Sequence, residues 1–157
     1  MKCMTAILGI FLSLAPASML FGMTQEEGLF AGVASGNLSV VQERLAGGAS
    51  VNARDSNGRT PLHFAARLED WKVADLLISN GADVNARDAL GKTPLHVAAF
   101  ERNVEMIAFL LGRCADINVR DDEGRIPLAS AQRPDRVPSD VMNALFEIAR
   151  DRAFCSK

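Results

Sequence analysis

The octapeptide RTPLHFAA at Arg59–Ala66 returns almost unchanged 33 residues later as KTPLHVAA at Lys92–Ala99. A weaker copy, IPLA at Ile126–Ala129, follows at the same interval. The segments between these copies repeat as well, with GASVNARD at Gly48–Asp55 and GADVNARD at Gly81–Asp88. A fixed period of this length predicts a stack of similar units, each too small to bury its own apolar faces.

Each unit is predicted to contain two short helices and a loop. Thr60 is a good N-cap, and Pro61 fits the first turn of a helix. Small apolar residues after it, including Ala65 and Ala66, would allow neighbouring helices to approach closely. A second helix is predicted from apolar residues at helical spacing, namely Trp71, Val73, Ala74, Leu76 and Leu77. Gly81 then suits the left-handed residue that ends a helix.

Through its TPLH-x-A core and its 33-residue period, the chain resembles the ankyrin repeat. The resemblance implies an all-α solenoid of four helix-turn-helix-loop units, in which the first and last units act as caps. We place the units at residues 25–54, 55–87, 88–120 and 121–157.

Two departures from the family pattern predict local strain. Glu69 and Arg102 stand where the family usually has a glycine, as at Gly36, so we expect a longer first helix or a strained turn. Cys114 stands at the helix-ending position of Gly81. A side chain in that left-handed conformation costs on the order of 1 kcal/mol.

The N-terminal segment differs from the rest of the chain. Residues 1–17 combine Lys2, an uncharged apolar run and Ala15-Pro16-Ala17, which together predict a signal peptide cleaved after Ala17, or alternatively after Gly22. An uncleaved anchor is the other interpretation. We therefore expect export, to a bacterial periplasm, with secretion or membrane anchoring as alternatives. In an oxidising compartment Cys114 and Cys155 are a possible disulfide.

The two histidines of the chain, His63 and His96, first suggest metal binding or acid–base chemistry. They occupy equivalent positions, however, and the resemblance implies that each joins its unit to the next through hydrogen bonds near Thr60 or Thr93. No further metal ligands converge on them in the repeat register, and no catalytic motif occurs. We expect no enzymatic activity, no catalytic residue, no metal and no cofactor.

The resemblance implies that a partner protein meets the turn tips and the concave face of the first helices. Leu90 and Phe100 are apolar at positions where solvent is expected. The predicted partner-binding residues are Asn57, Arg59, Arg67, Arg87, Leu90, Lys92, Phe100, Glu101 and Glu123. The alternative function is that of a regulator, inhibitor or protector of an exported enzyme.

Composition excludes some partners. The net charge is −2, and one Trp with no Tyr leaves few aromatic side chains for stacking on bases, so we expect no nucleic acid partner. After signal cleavage we expect a monomer without membrane contact.

Basic residues also recur with the period. One set precedes the turn Asp and another follows the turn Gly, which predicts two columns of positive charge along the loop tips. We name them the first basic column (Arg54, Arg87 and Arg120) and the second basic column (Arg59, Lys92 and Arg125). They are explained either by solubility and inter-repeat pairing or by a partner with an acidic surface.

Overall fold

The structure, a computed structural model, describes residues 24–131 and 147 of the chain. Three helix pairs and a final 3-10 turn follow one another, and no strand occurs within these described residues. The elements are α1 (Gln25–Ala34), α2 (Leu38–Ala46), α3 (Pro61–Ala65), α4 (Lys72–Ser79), α5 (Pro94–Glu101), α6 (Val104–Gly112) and the 3-10 turn Pro127–Ala131. This architecture confirms the predicted all-α solenoid.

The first helices of successive pairs form the spine of the stack. Helix α1 contacts α3, α3 contacts α5, and α5 contacts the 3-10 turn. Leu62 and Leu95 are fully buried in equivalent positions, and so are Ala66 and Ala99. Because alanine adds little bulk, the first helices pack closely, and each fully buried leucine contributes about 1.5–3 kcal/mol relative to an exposed one.

The second helices complete the core, although two residues of the predicted apolar face are not buried: Trp71 is exposed and Leu76 is half-buried. Val73, Ala74 and Leu77 of α4 are buried as expected. Trp71 is 42 % exposed, because it precedes α4 as its N-cap residue. Its ring stacks on Phe109 of α6 with centroids 5.4 Å apart.

Asparagine side chains join the long loops of successive units. The Nδ2 group of Asn52 donates to the carbonyl of Gly81 at 3.0 Å, and its Oδ1 accepts from the backbone N–H of Asp83 at 2.9 Å. One period later, Oδ1 of Asn85 accepts from the N–H of Asp116 at 2.8 Å. These contacts satisfy backbone groups that the helices leave free.

Of the predicted strained residues, two adopt the left-handed conformation. Arg102 has φ 61° and ends α5, and Cys114 has φ 67°, close to the values of the glycines that end helices. Glu69 has no positive φ, and α3 ends at Ala65, so the prediction of a longer helix or a strained turn was wrong for the second unit. Consecutive turns after α3 replace the glycine break there: Leu68 N–H donates to Ala65 O at 3.0 Å.

Several predictions concern residues outside the described part of the chain. These are the signal peptide at 1–17 with its cleavage site, and Cys155. Cys114 is disulfide-bonded, but its pairing with Cys155 stays a prediction. Within the described residues, no helix is both long and apolar enough to cross a bilayer.

Candidate binding groove

A groove of about 460 Å³ lies between α3 and α5 and the turns that precede them. We call it the central groove. It brings together seven of the nine predicted partner-binding residues: Asn57, Arg59, Arg67, Leu90, Lys92, Phe100 and Glu101. Arg87 and Glu123 are not among the residues that line it.

The apolar side chains of the central groove differ in how far they are exposed to solvent. Phe64 is half-buried, with its ring edge-to-face against Phe30 at 5.4 Å and the guanidinium of Arg59 4.6 Å from its centroid. Leu90 and Phe100, by contrast, are 58 % and 72 % exposed. Phe64 is not one of the nine predicted partner-binding residues, but it differs from Val97 within two otherwise similar octapeptides.

Most charges of the central groove are paired within the protein. Nε of Arg67 lies 3.0 Å from Oε1 of Glu101, which joins the second unit to the third. Arg59 Nη2 lies 2.7 Å from Oδ2 of Asp55 in its own turn. For Lys92 no salt bridge occurs within the described residues. These side chains are therefore already paired within the protein, although an exposed pair such as Arg67–Glu101 adds little to stability.

The two histidines form matching hydrogen-bond networks, and His63 also lines the central groove. Nδ1 of His63 accepts from the N–H of Thr60 at 3.1 Å and lies 2.9 Å from its hydroxyl, and Nε2 lies 3.0 Å from the carbonyl of Lys92 in the next unit. Since Nδ1 accepts a backbone N–H, the ring proton is on Nε2, which donates to that carbonyl. His96 makes the same contacts with Thr93 and the carbonyl of Arg125.

Comparison with protein families agrees with this geometry. The model of the ankyrin repeats in three copies matches residues 29–147, well over half of the chain. The chain belongs to the ankyrin-repeat family. Ankyrin repeats are generally protein-interaction modules and typically non-enzymatic. A search of curated proteins found no relative that matches this ankyrin-repeat chain.

Burial keeps the histidines of these ankyrin repeats neutral. It lowers the pKa of His63 and of His96 below 6.5, against the opposing effect of the hydrogen bond to the next unit's carbonyl. A neutral ring with both nitrogens engaged is poorly placed to transfer protons or to bind a metal. Within the described residues, no group of three or more His, Cys, Asp or Glu could hold a metal ion.

The turn aspartates organise the ankyrin loops. Oδ1 of Asp55 accepts from the N–H groups of Asn57 and Arg59 at 2.9 and 2.8 Å. Burial raises the pKa of Asp55, but its contacts with Arg59 and Asn57 together outweigh that effect, so the pKa lies below its ordinary value. The side chain of Asp121 is only 1 % exposed and pairs with Arg125 at 3.0 Å. These carboxylates therefore hold turns in place.

Proposed function

We propose that this chain is a non-enzymatic binding module that holds a partner protein in the central groove. The observation that carries the proposal is the exposure of Leu90 and Phe100 within one groove. Large apolar side chains that remain exposed in a recess are typical of the residues that dominate the free energy of protein association.

The rigidity of the central groove supports the same function. His63 joins α3 to the turn of the next unit, and the Arg67–Glu101 pair joins the segment after α3 to α5. A surface that is ordered before binding loses less conformational entropy when the partner arrives. The contacts that hold the groove are made by buried or paired groups, and the exposed side chains are left for the partner.

We also propose that the protein acts after export. The N-terminal sequence pattern supports this, and the test is the mass of the protein recovered from the exported fraction of expressing cells. A chain that begins at Ser18 is expected. Recovery of the uncleaved chain from the cytoplasm would contradict the proposal.

The binding role is tested with the double variant Leu90→Ser/Phe100→Ser. Used as bait in the exported fraction, the wild-type chain should retain a partner, and the variant should lose at least about tenfold in affinity for it, because two central apolar contacts are removed. The matched control is Trp71→Ser, which changes an exposed apolar residue outside the groove. Equal capture by the double variant, with an unchanged melting temperature, would show that the partner binds elsewhere.

A further inference from the structure

The turns that follow the three long loops have equivalent positions but different internal bonding. We call residues 87–92 the middle turn and residues 54–59 and 120–125 the outer turns. In the outer turns Nη1 of Arg54 donates to the carbonyls of Gly58 and Arg87 at 2.9 and 2.7 Å, and Nη1 of Arg120 donates to the carbonyl of Gly124 at 2.7 Å. The first basic column is thus held by backbone acceptors at both ends of the stack.

Arg87, the middle member of the first basic column, lacks these bonds. Within the described residues its guanidinium makes no hydrogen bond, and its one salt bridge, to Oδ1 of Asp122, measures 3.5 Å. The two side chains are 49 % and 61 % exposed. An exposed pair at this distance contributes little to stability. Its acidic partner belongs to the following turn, and Arg87 is not among the residues that line the central groove.

The second basic column shows the same difference. Arg59 and Arg125 pair with the aspartate of their own turns at 2.7 and 3.0 Å, and Arg125 also reaches Glu123 at 2.6 Å. Lys92 makes no such pair within the described residues. The nearby Asp88 carboxylate uses Oδ1 to accept the N–H groups of Leu90 and Lys92, at 2.9 and 2.8 Å, and so serves the turn itself.

The middle turn also differs in its apolar residue. Leu90, exposed at the turn tip, replaces Asn57 and Glu123 of the outer turns. Phe100 lies in the same groove. The middle turn therefore contributes to the groove a lysine that makes no salt bridge within the described residues and an exposed leucine, whereas each outer turn combines tightly bonded cations with a polar tip.

From this juxtaposition we propose that the central groove selects a partner segment in which an Asp or Glu lies next to a large apolar residue. The carboxylate pairs with Lys92, the cation of the middle turn that lines the groove, and the apolar side chain packs against Leu90 and Phe100. This inference rests on the proposed function and adds the chemistry of the partner. Charge complementarity supplies the preference among partners, and apolar burial supplies most of the affinity.

A library of random 12-residue peptides, panned on the full chain, tests the inference. Peptides with Asp or Glu beside Phe, Leu, Ile, Met or Trp should be enriched. Replacing that acid by its amide in a synthetic peptide should weaken binding about fivefold, and salt should reduce the difference, as expected for exposed ion pairs. This arm uses the unaltered protein, so it does not depend on whether a variant folds.

Two matched variants locate the charges. K92Q should weaken binding of an acidic peptide about fivefold, whereas R87Q, which removes the same charge from the same turn but outside the groove, should change it less than about twofold. K92E should shift the panned peptides from acidic toward basic residues. Equal losses from K92Q and R87Q would overturn the inference.

The outcomes separate this inference from the proposed function. Peptides that lose binding in the Leu90→Ser/Phe100→Ser variant but show no preference for acidic residues would overturn the inference alone. Peptides that bind that variant normally would overturn both. Displacement of an acidic peptide by a single-stranded oligonucleotide at equal concentration would indicate that the middle turn binds phosphate, and would also overturn the inference.

Discussion

The second and third ankyrin units have the same internal scaffold and different surfaces. Thr60 and Thr93 contact the histidines behind them at the same distances, 3.1 and 2.9 Å in each unit. On the surface, Asn57 corresponds to Leu90 and Arg67 to Phe100. Residues shared by the two copies therefore maintain the stack, and residues that differ form the candidate site.

The largest effect is expected from the shared core leucines. Leu62→Ala and Leu95→Ala should each lower the free energy of unfolding by about 2–5 kcal/mol, because both remove fully buried side chains from equivalent positions. Urea denaturation measures the two losses. If one substitution is nearly neutral, the two units are not equivalent in their cores.

The next largest loss of stability is expected from substitutions of the shared histidines. His63→Ala and His96→Ala each leave backbone groups on two units without a partner, at a cost of about 1–3 kcal/mol. Denaturation measures the cost, and elemental analysis should find no bound metal in any of these proteins. Loss of partner binding at an unchanged melting temperature would contradict the structural role.

The backbone between the two helices differs between the second and third units, at Glu69 and Arg102, and substitutions there test that difference. Arg102 has φ 61°, so Arg102→Gly should relieve strain and stabilise the fold by up to about 1 kcal/mol. Glu69 has no positive φ, so Glu69→Gly should destabilise by about 0.5–1 kcal/mol through the added freedom of the unfolded chain. Changes of the same sign in both variants would contradict the difference between the two breaks.

The smallest effect is a dependence on pH. Because the pKa of each buried histidine lies below 6.5, the unfolded chain binds more protons than the folded chain near that pH. Their contribution is complete above pH 6.5 and is lost as the pH falls from there toward the lower folded-state pKa. The free energy of unfolding of H63Q/H96Q should therefore vary less with pH in this range. Identical slopes would contradict the burial of neutral rings.

Much of the fold is predictable from sequence, because the 33-residue period places the starts of α3 and α5 in register and repeats the residue that follows each second helix, at Gly48, Gly81 and Cys114. The groove followed from the resemblance and from the apolar residues Leu90 and Phe100. The loose bonding of Arg87 could not be predicted, because its sequence position matches that of Arg54. Only the three-dimensional distances show that the Arg87 guanidinium lacks backbone acceptors. The break at Glu69 was also missed, because consecutive turns can replace a glycine without a distinct sequence pattern.

The central claim, that the differing surface binds and the shared scaffold stabilises, is tested most directly by giving the third unit the surface of the second. In L90N/F100R both exposed residues are replaced by their counterparts. We predict a free energy of unfolding within about 0.5 kcal/mol of wild type, as is usual for surface changes, and a loss of partner affinity of at least about tenfold. Unchanged affinity, or a loss of several kcal/mol in stability, would contradict the account.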